Sequence, residues 1–211
     1  NTTVITQENT GYAGGIKTGL RYIEKNLKAH PEDIVVVLNN DGTVLDNFFQ
    51  SLREWWQQQT KETLAGTKMS AVNLISGRSH IEHIPAHQWE IPYVHGALLS
   101  ARLKTFKKIK LPTSFFLYWE DVALSQRAVA ANIALKTLPG DIFSHNDRVK
   151  KISSQKLYYL ARNGAAFLEH ESPGIWPAWW KVANQARSLY HSTLGKQVVA
   201  KALKDRHQAY E

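Results

Sequence analysis

Four stretches of the chain carry residue types whose spacing could support chemistry. Asn9-x-Gly11-x-Ala13-Gly14-Gly15 stands between a strand-like run and a helical pattern, where glycines let backbone amides close on a ligand and a helix start favours an anion. Asn39-Asn40-Asp41 follows a continuous apolar run, and ligands in open α/β sheets bind beyond the carboxyl ends of strands. Asp41 offers oxygen donors to a hard divalent cation, which could bridge paired phosphates. Glu120-Asp121 opens a helix straight after an aromatic segment, and a carboxylate placed there in a cleft can take a proton from an attacking hydroxyl. His145 follows a short strand and could complete a metal shell. Taken alone, each reads more readily as structure: a glycine turn, an Asn-Asp-Gly turn, helix-start acids favoured by the dipole, and a lone structural histidine.

The elements that must position these residues are read from periodicity. Thr2 to Thr6 reads as a strand, and Ile16, Leu20, Ile23 and Leu27 share one face of a helix starting near Gly15. Ile34 to Leu38 is β-branched and unbroken, which predicts a strand buried on both faces of a parallel sheet. Phe48, Phe49, Leu52, Trp55 and Trp56 predict a second helix, and Ala71 to Ile75 a further strand. The proline- and histidine-bearing stretch from Gly77 to Pro92 reads as a loop. Tyr93 to Ala101 reads as a strand interrupted at Gly96, followed by a short basic helix, a loop, and buried aromatics from Phe115 to Trp119. A helix from Asp121 to about Ala131 precedes two short strands, Ala134 to Leu138 and Asp141 to Ser144. Beyond His145 the pattern is helical only, so a subdomain boundary is expected near Asn146.

Composition narrows the class. A chain of 211 residues, 43% hydrophobic and 10% aromatic, suits one substantial α/β domain with a helical appendage. No cysteine is present, which removes disulfides and thiolate zinc sites and fits a reducing, cytoplasmic setting. No run approaches the roughly 20 apolar residues that a bilayer span needs, and nothing at the start reads as a signal peptide. The net charge of +8 favours anionic partners. Nucleic acid is disfavoured among them, because the basic residues are dispersed and no nucleic-acid motif occurs.

In this order the motifs resemble glycosyltransferase family two, particularly the bacterial rhamnosyl- and galactofuranosyl-transferase-like members that build cell-surface polysaccharides. The similarity runs from about Asn9 to Asn163: the glycine turn, an N-N-D form of the D-x-D motif, H-G-A-L-L-S-A, Y-W-E-D-V-A-L-S-Q-R, a strand ending in histidine, and Y-Y-L-A-R-N. The resemblance implies a GT-A type, Rossmann-like α/β fold with a mainly parallel sheet over residues 1–145, short of the family's first strand, and a helical region over 146–211. It implies inverting transfer of a sugar from a nucleotide-diphosphate sugar to a glycan or lipid-linked acceptor, with Mn2+ or Mg2+ held by Asp41, Asn39 and His145. Asn9, Gly14, Gly15, Asn39, Asn40, His95 and Gly96 would face the donor, Asp121 would be the base, Glu120 would support it or meet the acceptor, and Arg127 would brace their turn. The alternative is a truncated, non-catalytic transferase domain serving as a binding or scaffold module. At the carboxyl end, Trp176, Trp179, Trp180, Val182, Leu189, Tyr190, Val198, Val199 and Leu203 among basic residues suit either packing on the core or an interfacial helix that makes peripheral contact with the inner face of the cytoplasmic membrane.

Overall fold

A computed structural model describes residues 2–80, 84–140, 142–145 and 153–210, without the side chains of His80 and His145. Its elements in chain order are α1 (Gly11–Asn26), β1 (Ile34–Leu38), β2 (Gly42–Val44), α2 (Phe48–Gln57), β3 (Thr63–Gly66), β4 (Met69–Asn73), β5 (Arg78–His80), β6 (Glu90–Val94), β7 (Leu98–Arg102), α3 (Leu103–Lys108), α4 (Glu120–Ala130), β8 (Ala134–Thr137), β9 (Phe143–His145), α5 (Ser154–His170), α6 (Trp176–Thr193) and α7 (Gln197–Lys204), closed by a 3-10 turn, Asp205–Ala209. No helix among the described residues is long and apolar enough to cross a membrane.

The fold is α/β with mixed sheets. The largest sheet has the order β1-β7-β3-β8, in which β3 and β8 are parallel while β7 runs antiparallel to both β1 and β3. A three-stranded antiparallel sheet, β5-β4-β6, and the β2–β9 pair complete the described strands. One parallel pairing is therefore described where a mainly parallel sheet is expected, because the chain turns back at 95–97 and sends β7 between β1 and β3.

Two expected strands differ in kind. Thr2 to Thr6 is exposed and forms no described ladder, since apolar alternation gives a strand nothing without a neighbour for its backbone groups. Ile34 to Leu38 does form β1, but at a sheet edge, where Ile34 and Leu38 remain 36% and 43% exposed. Both faces are partly covered, Val35 and Val37 joining the cluster under α1 and α4 and Val36 the cluster under α2, while the two ends stay open to solvent.

Helices close over the sheets through apolar stripes. Ile16 and Leu20 of α1, Leu124 and Ala128 of α4 and Phe106 of α3 pack with Val35, Leu64, Leu99 and Ala101 of the large sheet. Phe48, Leu52 and Trp56 of α2 cover Ala65 and Leu98, and the Trp56 indole donates to Ser100 Oγ at 2.9 Å. The third cluster joins Val72, Leu74, Ile91 and Tyr93 to Val122 and Ala123 of α4, Phe167 and Leu168 of α5 and Trp180 of α6. The carboxyl-terminal helices thus share a core with the small sheet, and each fully buried leucine or phenylalanine there contributes about 1.5–3 kcal/mol. The boundary expected near Asn146 lies outside the described residues.

A buried ion pair ties these helices together. Glu169, fully enclosed near the end of α5, accepts from Arg206 Nε in the 3-10 turn and from Asn184 Nδ2 of α6 at 2.9 Å. Breaking one partner of such a pair strands a charge in low dielectric.

Candidate functional site

One cavity of about 840 Å³ opens where the two larger sheets meet α4 and α5. Its polar end is built by Asn39 at the end of β1, His95 and Gly96 in the β6–β7 turn, Tyr12 of α1, and Glu120 and Asp121 at the start of α4. Its other end is walled by Leu157, Leu160 and Ala161 of α5 and Val199 of α7, with Arg78 and Arg187 also in the lining.

The carboxylate pair is presented by a strained turn. Tyr118 and Trp119 both adopt left-handed backbone, with φ of 66° and 70°. Such conformations cost non-glycine residues about 1–3 kcal/mol each and persist where surrounding structure enforces them. Here α5 does so. Asn163, fully buried, donates through Nδ2 to the carbonyls of Leu117 at 2.8 Å and Tyr118 at 3.1 Å. Arg162 orients that amide by donating to Asn163 Oδ1 at 2.9 Å and reaches Ser114 O at 3.3 Å. Gly164 lets the indole of Trp119 lie against the helix, since a Cβ there would stand 2.7 Å from Trp119 Cε2.

Asp121 is held by backbone donors: Oδ1 accepts from Val122 N at 2.9 Å and Oδ2 from Gly96 N at 3.3 Å. Burial pushes its pKa up, and His95 with the backbone donors only partly offsets this. Glu120 is pushed up to about 8, first by burial and then by the charge of Asp121. Its Oε2 is buried without a hydrogen-bond partner, and among the described residues no lysine or arginine pairs with it. A carboxyl raised in this way by burial and by an adjacent charge holds its proton near neutral pH.

The other side of the Gly96 peptide is gripped by Tyr12, whose hydroxyl donates to Gly96 O. Burial, and then the charges of Asp121 and Glu120, raise the Tyr12 pKa, so it remains a donor at any ordinary pH. His95 is fixed by Ser70 Oγ at 2.7 Å from Nε2 and by stacking on Tyr93 with centroids 5.3 Å apart. Ser, His and Asp occur together here, but Ser70 is fully buried and outside the cavity lining. It orients the imidazole and is no nucleophile.

The sequence-derived residues fall into three groups. Asn39, His95, Gly96, Glu120 and Asp121 come together on the cavity. Asn9, Gly14 and Gly15 do not line it. Asn9 Oδ1 instead accepts from Gly11 N at 3.1 Å, and α1 begins at Gly11, four residues before Gly15. Gly14 is required by packing, because a Cβ would stand 2.2 Å from Thr10 Oγ1. Asn40 and Asp41 are exposed on the turn into β2, outside the lining. The turn is anchored to the site by Asn39 N donating to Ala97 O at 3.0 Å, and β2 pairs Gly42 directly with His145 of β9. The backbone thus brings His145 to the strand beside Asp41, while its side chain lies outside the described part.

Arg127 corrects an expectation. It forms a two-pronged pair with Glu171, through Nε to Oε2 at 2.8 Å and Nη2 to Oε1, and donates to Lys110 O at 2.7 Å. It sits in the last turn of α4, too far along the helix to brace Glu120-Asp121, and clamps α4 to the end of α5 instead.

Tyr12, Ser70 and Gly164 are supporting residues that sequence motifs did not single out, whereas Asn163 closes the Y-Y-L-A-R-N motif, which carried no structural role. Only Asn163-Gly164 left a signal: two poor helix formers side by side within an apolar helical pattern, as a close tertiary approach requires. Among the described residues, one group of three metal-donor side chains is close enough to share an ion, with donor atoms within 4.8 Å of one another: Glu169, His170 and His207. Arg206 already neutralises Glu169 there. No protein-family model matches the chain, and no curated protein sequence matches it.

Proposed function

We propose that this chain is the catalytic core of an inverting, GT-A type glycosyltransferase that moves a sugar from a nucleotide-diphosphate donor to a glycan or lipid-linked acceptor. The observation that carries the reading is the adjacent Glu120–Asp121 carboxyls, both raised in pKa and facing a cavity that also receives Asn39 from a strand end and His95-Gly96 from the β6–β7 turn. A carboxylate whose pKa is raised above its ordinary value is a stronger base and better matched to deprotonating a hydroxyl.

In this reading Asp121 takes the proton of the acceptor hydroxyl. The freed oxygen attacks the anomeric carbon, and the bond from that carbon to the diphosphate oxygen breaks on the opposite face, inverting configuration without a covalent enzyme intermediate. The Gly96 peptide, gripped by Tyr12, keeps Asp121 aimed, and Glu120 holds the second proton or meets the acceptor. Asn39 and Asp41 offer oxygen donors at a strand end and would hold Mn2+ or Mg2+, with His145 on the strand paired to β2 as the expected further ligand. Such an ion, when bound, neutralises charge developing on the leaving diphosphate.

The test is thermal unfolding with UDP-, dTDP- and GDP-sugars, with and without manganese, joined to an assay of nucleoside diphosphate release. Ligand at about 100 times its dissociation constant adds roughly 2.7 kcal/mol, an upward shift of about 5–11 °C for a domain of this size. Asp121→Asn should keep the manganese-dependent shift and lose turnover, whereas Asp41→Ala should weaken the shift. The second reading, a non-catalytic binding module, is favoured by the placement of Asn9, Gly14 and Gly15 away from the cavity. It predicts a shift with a donor and no diphosphate release, and absence of any shift would sink both readings.

A further inference from the structure

Helix α6 is amphipathic in the wrong sense. Its inward face carries Trp180, Asn184 and Ser188, all buried and all hydrogen-bonded, to Leu74 O, Glu169 Oε1 and Ala200 O respectively. Its outward face carries Ile175 at its N-terminal cap, Trp179, Val182, Leu189 and Tyr190, which are exposed by between 55% at Trp179 and 79% at Ile175. At about 100° per residue these five, with Ala186 among them, fall within an arc of about 100°, opposite the buried face. Nothing among the described residues covers that stripe. Water-facing surfaces rarely carry a contiguous row of large apolar side chains, and such rows mark contact sites.

Charge identifies the occupant. From Ser172 to Lys204 the chain contains no aspartate or glutamate, while Lys181, Arg187, Lys196, Lys201 and Lys204 are cationic. Two copies docked through this face would oppose like charges, which the chain's net +8 aggravates. An anionic lipid surface supplies the opposite sign, and tryptophan and tyrosine beside aliphatic residues suit the head-group boundary. The helix's 18 residues extend about 27 Å, long enough to lie along a membrane plane. We propose that α6 docks this protein onto an anionic bilayer, with Ile175, Trp179, Val182 and Leu189 entering the interface and Lys181 and Lys196 meeting head groups. The proposal does not rest on the transferase reading, because it uses no residue of the carboxylate site.

Flotation of the full chain with vesicles of phosphatidylcholine alone, or with added phosphatidylglycerol, tests it. The protein should float with the phosphatidylglycerol vesicles, and Val182→Glu/Leu189→Glu should weaken partitioning on the order of a hundredfold, from the loss of two buried aliphatic side chains. Both sites face away from the core, so the thermal midpoint of the variant should match the parent. Trp179→Ser provides a milder second variant with a smaller loss. Lys181→Glu/Lys196→Glu should remove the preference for phosphatidylglycerol. Failure to float with either vesicle, or equal flotation of parent and Val182→Glu/Leu189→Glu, overturns the proposal. So does a concentration-dependent dimer that the double variant abolishes while vesicles remain unbound, which assigns the stripe to a second copy.

Discussion

Replacing Glu120 by glutamine should stabilise the protein, by an amount that depends on pH in a defined way. Glu120 has an ordinary carboxyl pKa of 4.5 and is pushed up to about 8 in the fold, by burial and by Asp121. The native state therefore holds a proton between those pH values that the unfolded state has released. With fewer protons bound to the unfolded chain, stability falls as pH rises, by up to about 1.4 kcal/mol per pH unit. The penalty is absent below pH 4.5 and complete above about 8. Over that window it reaches about 3–5 kcal/mol. Glutamine keeps the shape and cannot ionise, so Glu120→Gln should match the parent at pH 4 and exceed it increasingly toward pH 8.5. The midpoint gap should reach about 6–20 °C there. Thermal or urea unfolding of both proteins from pH 4 to 9 measures this directly. A gap that stays constant across the range would refute the reasoning, because Glu120 would then titrate as an ordinary surface carboxyl.

Further substitutions probe the frame that holds the site and the helices behind it. Arg206→Met leaves the enclosed carboxylate of Glu169 without its cation and should cost about 3–5 kcal/mol by urea unfolding, with Arg206→Met/Glu169→Met recovering much of the loss. Asn163→Ala removes both donors that hold the left-handed Tyr118–Trp119 turn and should cost about 1–3 kcal/mol; in the proposed reaction kcat should fall further than donor affinity, since the substitution displaces Glu120 and Asp121. Gly11→Ala meets both a φ of +79° and a Cβ position 2.4 Å from Phe116 O, so it should cost about 2 kcal/mol or more and lower the midpoint, while Gly19→Ala on the same helix, with open space around it, should be neutral or stabilising.

Much of the layout was legible because it is encoded locally. The helical stripes of α1, α2 and α4, the strand Ile34–Leu38, the interruption at Gly96 and the strand Ala134–Thr137 all follow from periodicity and breakers. The central strand β3 was not legible. Thr63-Leu64-Ala65-Gly66 is too short and too poor in β-branched residues to stand out, yet all four residues are buried between β7 and β8, whose ladders make it a strand. β5 and most of β6 also emerged within a stretch that reads as loop, because β4 supplies the partner edge that proline and histidine content conceals. At the site the carboxylate pair was visible as a helix start and Asn163 as the end of a motif, while Tyr12, Ser70 and the contacts of Asn163 were not. Their roles exist only through contacts to residues 25 to 84 positions away, for which local spacing carries no signal.

The distribution of unfavourable features separates site from scaffold. Glu169, buried, and Glu120, half-buried, each enclose one carboxyl oxygen without a hydrogen-bond partner, but the fold treats them differently. Glu169 is neutralised by Arg206 and bonded by Asn184, and therefore serves cohesion among α5, α6 and the 3-10 turn. Among the described residues Glu120 receives no cation, stands beside a second half-buried carboxyl, and follows two consecutive left-handed residues. A structural role would be met at lower cost by glutamine at position 120 and glycine at 118 or 119. Strain and uncompensated charge concentrated in four consecutive residues, facing an open cavity and enforced by Asn163 and Gly164 from another helix, are what a site for chemistry or binding requires and a packing site does not.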